Sequence, residues 1–144
     1  MKGFLFILSL LCCLTVTAQS KKEVQAMANS KLLVSAIFET RDSATLEKLF
    51  RPDMTHLNGA GVMETRSEAI NKIVHNPSRF VQASMTNGYG VVQRGDSVTV
   101  KFFYKGREYK TDGSSTPFAV NLEMVWLKEK KKMALYTLHT VKAE

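Results

Sequence analysis

The stretch Asp53–Ile70 constrains the fold more tightly than any other, because three local signals run together in it. Met54, His56 and Asn58 alternate with Thr55 and Leu57, which is the period of a short strand. Asn58-Gly59 suits a tight turn, since glycine accepts the positive φ such turns need. Thr65-Arg66-Ser67-Glu68 fits a capping box, in which the Thr65 hydroxyl and the Glu68 carboxylate each accept from the other residue's backbone N–H. The unit therefore reads as a hairpin feeding directly into a helix. The rest of the chain must pack around it.

Upstream, Lys21 to Glu39 has helical spacing, with Val24, Met27, Ala28, Leu32, Leu33, Ala36 and Ile37 expected on one apolar stripe. Arg41-Asp42-Ser43 breaks it, and Asp42 or Ser43 can cap a short second helix with Leu46, Leu49 and Phe50 on its buried edge and Pro52 at its end. Downstream, the capped helix runs from Arg66 to about His75, and Asn76-Pro77 stops it. Phe80 to Gln93 reads as a long strand with a bulge or bend at Asn87-Gly88. Arg94-Gly95-Asp96 is a turn, and Val98, Val100, Phe102 and Tyr104 give the next strand one dry face. After a polar loop over Asp112–Pro117, Phe118–Lys128 and Lys132–Val141 make the last two strands.

The strand from Phe118 carries Phe118, Val120, Leu122, Met124 and Trp126 on one wholly apolar face. Ala119, Asn121, Glu123, Val125 and Leu127 make the other face half apolar, which predicts cover on that side too, most simply by a second copy of the chain.

The chain of 144 residues suffices for one modest domain. Residues 1–18 have the pattern of a secretory signal peptide: Lys2, then the charge-free apolar run Phe4–Val16, then small Ala18 before the expected cut. The run is too short to prefer a membrane span. This predicts an exported domain over 19–144, starting at Gln19. Both cysteines, Cys12 and Cys13, fall in the leader, so the mature domain has no thiol, disulfide or thiolate metal site. Losing Lys2 takes the net charge from +7 to +6. The one basic run, Lys128–Lys132, lies between two strands and reads as a solvated hairpin tip. Without stacking aromatics beside it, nucleic-acid binding is not expected.

Helix, short helix, hairpin, capped helix and four long antiparallel strands define an α+β order. In that order Leu46-Glu47-Lys48-Leu49-Phe50 with Pro52-Asp53, Thr55-His56-Leu57-Asn58 with Gly61, Arg66-Ser67-Glu68, Gly95-Asp96, and Met124-Val125-Trp126 with a strand ending at His139 resemble the nuclear transport factor 2-like superfamily. The nearest likeness is to its SnoaL-like branch and small bacterial domains of unknown function. The resemblance spans about Lys21 to Val141. It implies a cone-shaped, curved antiparallel sheet wrapped around N-terminal helices (a cystatin-like roll), with a pocket inside and dimers formed through the outer sheet face. Glu123 and His139 would then lie near the seam, beside Val125 and Leu135.

Three histidines are present, and His56 is the one placed for acid–base work near neutrality. Strand parity sets Asn58 beside it and shows no carboxylate partner. His75 closes a helix and is assigned no role. Strand parity, with the resemblance deciding which face looks into the cone, turns Tyr136 and Leu138 inward with Phe102, Val120, Leu122, Met124 and Trp126. The expected ligand-binding set is therefore His56, Asn58, Phe102, Met124, Trp126, Tyr136 and Leu138, with Trp126 across from Tyr136. His56 and Tyr136 are the only catalytic candidates. No His-x-His or His-Glu-x-x-His occurs, so neither metal nor cofactor is implied, and no Gly-x-Ser-x-Gly marks a hydrolase serine. An isomerase of the ketosteroid type needs a carboxylate base facing the pocket, and Glu123 lies on the wrong face for it. Three functions stay open at this stage: binding of a small apolar or amphipathic molecule, SnoaL- or isomerase-like acid–base catalysis, and a filled structural dimerisation module.

Overall fold

The computed structural model describes residues 19–143, except for the side chains of 82–89. The signal peptide expected over 1–18 lies outside the described residues. Helix α1 (Lys21–Ser35) runs into a π-helical turn (Ala36–Thr40), followed by α2 (Ser43–Leu49), β1 (Phe50–Leu57), β2 (Met63–Thr65) and α3 (Arg66–Val74). Four long strands complete the chain: β3 (Arg79–Arg94), β4 (Ser97–Tyr109), β5 (Ser115–Glu129) and β6 (Lys132–Lys142). They form one sheet in the order β2-β1-β6-β5-β4-β3. Every neighbouring pair is antiparallel except β1 and β6, which run parallel. The architecture is the expected α+β one, with a curved, unclosed sheet against three helices.

Local chemistry accounts for most boundaries. Ser20 caps α1 in a full capping box with Glu23, and Asp42 caps α2 by accepting from Ala44 N–H. The predicted box at α3 is present, with Thr65 and Glu68 each accepting from the other's backbone. Leu49 closes α2 and Phe50 opens β1, one turn earlier than the proline suggests. The connection after β1 is longer than an Asn-Gly turn. Asn58 Oδ1 accepts from the N–H groups of Ala60 and Val62, and the positive φ of 77° falls at Gly61, not Gly59. The pairing of β3 with β4 slips between Thr86 and Gly90, where Asn87-Gly88 suggested a bend.

The core lies between the helices and the inner face of β4, β5 and β6. Val98, Val100, Phe102, Tyr104, Val120, Leu122, Met124 and Trp126 are fully buried there, as parity predicts. The α1 face differs from the expected stripe. It centres on Ala26, Ser30, Leu33 and Val34, while Val24, Ala28 and Leu32 are exposed. The reason is polar: Trp126 Nε1 donates to buried Ser30 Oγ at 2.8 Å, so a serine belongs at the centre of the packed face.

Strand β6 also departs from simple alternation. Val125 and Trp126 are adjacent on β5 yet pair with Thr137 and Leu135, so Tyr136 is an extra, bulged residue. The bulge turns Tyr136 outward, 41% exposed, with the Arg51 guanidinium 5.6 Å from its ring centroid. Leu135, expected at an outer seam, is fully buried instead. Trp126 faces inward beside Met124 as expected, but opposite Leu135 and not Tyr136. Leu138 and Thr140 still face in, past the bulge.

Thr65→Ala removes the side-chain acceptor of the α3 cap and should lower stability by about 1 kcal/mol in chemical denaturation. An unchanged midpoint would show that the cap contributes nothing to folding.

Candidate functional site

Register brings three polar side chains together at one end of the sheet. His56 on β1 pairs with Glu64 on β2 on one side and with Leu138 on β6 on the other. Thr140, two residues beyond Leu138, shares its inward face. His56 Nδ1 is 2.9 Å from Glu64 Oε2, and His56 Nε2 is 3.0 Å from Thr140 Oγ1. The ring is thus held at both nitrogens, from the strands on either side of it.

Glu64 is a carboxylate only 4% exposed, and its partners explain how it stays there. Its Oε1 accepts from Asn58 Nδ2 at 2.5 Å and from Lys72 Nζ on α3 at 2.7 Å, while Oε2 faces His56. Desolvation pushes the Glu64 pKa up, but bonds from Lys72, Asn58 and His56 together hold it below the ordinary carboxylate value. Burial is the largest influence on His56 and pushes its pKa below the ordinary histidine value, outweighing the attraction of Glu64. Lys72 and His139 push it the same way as burial. His56 is therefore neutral at pH 7. With Nδ1–H donated to the carboxylate, Nε2 carries the lone pair and accepts from Thr140.

His56 and Thr140 open onto a cavity of about 360 Å³. Leu122 and Leu138 form its sheet wall, Ile73 and Asn76 close it from α3 and the segment after it, and Glu108 and Lys142 stand at its edge. Ile37 and Phe38 enter from the π-helical turn, and Phe80 and Phe118 from β3 and β5. The rings form a cluster: Phe38 meets Phe80 at 5.4 Å and Phe118 at 5.7 Å between centroids, and Phe80 meets Phe118 at 4.8 Å. Phe38 also stacks at 4.3 Å on Tyr104, whose buried hydroxyl has no hydrogen-bond partner among the described residues. Arg41 steadies this wall by donating to Ser78 O, with its guanidinium 5.8 Å from the Phe80 centroid.

Of the expected ligand-binding set, His56 and Leu138 line the cavity. Asn58 stands behind them, bonded to Glu64. Phe102, Met124 and Trp126 are fully buried core, and Tyr136 lies on the outer surface. The carboxylate partner that parity within β1 did not reveal is Glu64. A three-residue strand is too short to show a period, so alternation assigns Glu64 to no face. Thr140 is in phase with Leu138 along the strand, but its pairing with His56 is not visible in the sequence, since β1 and β6 run parallel and the two residues lie 84 positions apart. Among the described residues no cluster of three or more histidine, cysteine or acidic side chains could hold a metal ion, and no helix is long and apolar enough to cross a membrane.

Comparison with known proteins places the fold. A ketosteroid isomerase-like protein from Erwinia carotovora atroseptica superposes with a TM-score of 0.77 at 16% identity, covering 88% of this chain and 99% of its own. A nuclear transport factor 2 superfamily protein from Salmonella enterica serovar Typhimurium gives 0.72 at 13% identity, covering 88% and 94%. An NTF2-like protein from Cytophaga hutchinsonii gives 0.68 at 15% identity, covering 87% and 100%. No protein-family model matches the sequence, and no curated protein matches it. The chain has the nuclear transport factor 2-like fold.

Because folding lowers the His56 pKa, the folded state disfavours its protonation. This contribution to stability is complete above the ordinary value of 6.5 and is lost as pH falls through the lower folded value. Denaturation midpoints should therefore drop on acidification below about pH 6.5. In His56→Gln the drop should begin only at the lower pH where Glu64 is protonated. A wild-type profile as flat as the variant's would contradict the shift.

Proposed function

We propose that the cavity binds a small apolar or amphipathic molecule and that His56, oriented by Glu64, acts on it as a general base. The observation that carries this reading is the placement of His56: its Nδ1 faces a buried carboxylate at 2.9 Å, and the ring lines an apolar cavity. A base is useful near pH 7 when it is neutral and within reach of a bound proton donor. The cavity falls within the roughly 300–1,000 Å³ of small-molecule sites. This favours an open pocket over a filled structural module. Tyr136, on the outer surface, has no part in the chemistry. The Erwinia relative's description as isomerase-like is compatible with acid–base chemistry.

The test uses 2-naphthol, a flat apolar molecule with one hydroxyl, followed by NMR of the His56 ring protons and the Leu122 and Leu138 methyls. Saturable shifts at all three are expected, and Ile73→Trp, which fills the cavity, should abolish them. No shift at millimolar naphthol would remove the pocket reading.

The proposal extends to export, from the leader-like residues 1–18, and to a homodimer through the outer sheet face. Glu123 and His139 are direct cross-strand neighbours there, beside half-buried Val125 and Leu127. Intact mass and light scattering on exported protein test both together. The expected result is a chain starting at Gln19 with twice the monomer mass, and a retained Cys12 or a monomer would refute the corresponding part.

A further inference from the structure

Thr140 is the nucleophilic side chain that general-base action by His56 leaves without a task. It lies on the inner face of β6, paired across the strands with Leu122, and lines the cavity. Its hydroxyl is 3.0 Å from His56 Nε2, while Nδ1 of the same ring is 2.9 Å from Glu64. A neutral imidazole whose Nδ1–H is given to a carboxylate has only a lone pair at Nε2, so Thr140 O–H is the donor in the second bond. Hydroxyl, imidazole and buried carboxylate thus form a relay, with hydroxyl and imidazole on the cavity wall. An alcohol, weak as a nucleophile by itself, is activated by this order of groups. Glu64 is fixed in turn by Asn58 and Lys72, so the relay is braced at its far end.

Two further side chains that line the cavity, Asn76 and Lys142, suit the other half of acyl-transfer chemistry. Asn76 Oδ1 accepts from Ser78 N–H at 2.9 Å, which leaves its Nδ2 as the donating end of the amide. Lys142 adds a positive charge at the edge of the cavity. Groups of either kind stabilise a carbonyl oxygen that becomes negative. The ring cluster of Phe38, Phe80 and Phe118 accommodates an apolar acyl chain.

We propose that Thr140 is a nucleophile, activated by His56 and Glu64, toward esters or thioesters of small apolar acids. Thr140 Oγ1 forms a bond to the carbonyl carbon as its proton passes to His56 Nε2, and the carbonyl electron pair moves onto oxygen. Collapse of that adduct breaks the bond to the leaving alcohol or thiol, which takes the proton from His56. Water then attacks the acyl-threonine, again giving its proton to His56, which returns it to Thr140 Oγ1 as the acid departs. No oxidant or reductant is involved. The inference rests on the general-base reading of His56 and adds a covalent step to it.

The test mixes the full chain with 4-nitrophenyl butyrate, follows release of 4-nitrophenolate, and analyses acid-quenched protein by peptide mass spectrometry. A rapid burst is expected, with one butyryl group on the peptide carrying Thr140. Thr140→Val should remove adduct and burst while its melting curve stays in place, and Thr140→Ser should retain both. His56→Gln should slow acylation about a hundredfold or more, in line with a lost general base. Glu64→Gln should shift the pH profile of the burst. Unchanged release in Thr140→Val alongside loss in His56→Gln would overturn the nucleophile and leave the general-base reading standing. Unchanged release in both, or a butyryl group found only on lysine, would also overturn it, and the naphthol titration then judges the pocket separately.

Discussion

The end of the molecule that carries the site is built around one buried charge. A carboxylate taken out of water is strongly destabilising unless its oxygens are bonded and its charge is matched. Glu64 meets that demand with side chains from two further elements: Asn58 just past β1 and Lys72 on α3, with His56 on β1 between them. Satisfying it fixes the hairpin register, the approach of α3 to the sheet and the tautomer of the imidazole together. Breaking one partner would leave the charge partly orphaned, so the polar cluster is a packing constraint as much as a chemical one.

Asymmetry within the cluster gives the histidine its character. One side of the ring faces an anion, which favours the imidazolium, and burial on the remaining sides disfavours it. Lys72 tips the balance twice. It neutralises Glu64, weakening the attraction on His56, and it adds its own positive charge nearby. A buried His–Glu pair without that lysine would hold its proton more strongly. The ammonium on α3 thereby keeps Nε2 available as an acceptor near neutral pH, although it touches neither the ring nor the cavity wall.

Much of this was legible in the sequence, and what was not has physical causes. The Thr65–Glu68 cap, the inward face from Val120 to Trp126 and the lysine-rich hairpin tip depend on contacts a few residues apart or on strict alternation, so local patterns suffice. Ser30 as the centre of the buried face of α1 could not be found by hydrophobicity, because its partner Trp126 lies 96 residues away. Glu64 and Thr140 escaped for the same reason: each becomes a partner of His56 only through strand register. Ile37 and Phe38 reach the cavity because Ala36–Thr40 is a π-helical turn, whose wider winding changes the face a side chain presents.

The bulge at Tyr136 has the largest structural consequence of these departures. Below it, β6 presents Met133 and Leu135 to the core against α1 and β5, and above it Leu138 and Thr140 to the cavity. Strict alternation would put Leu138 and Thr140 in phase with Ala134 and Tyr136. The lower strand would then offer the core a small residue and a phenol where it has Met133 and Leu135. The extra residue resets the phase between the two halves. Large aliphatic side chains pack where the sheet meets the helices, and a hydroxyl still arrives beside His56 where the sheet opens. Tyr136 is expelled onto the surface over Arg51, so the tyrosine that looked like part of the chemistry instead marks the bulge that lets β6 serve both core and site.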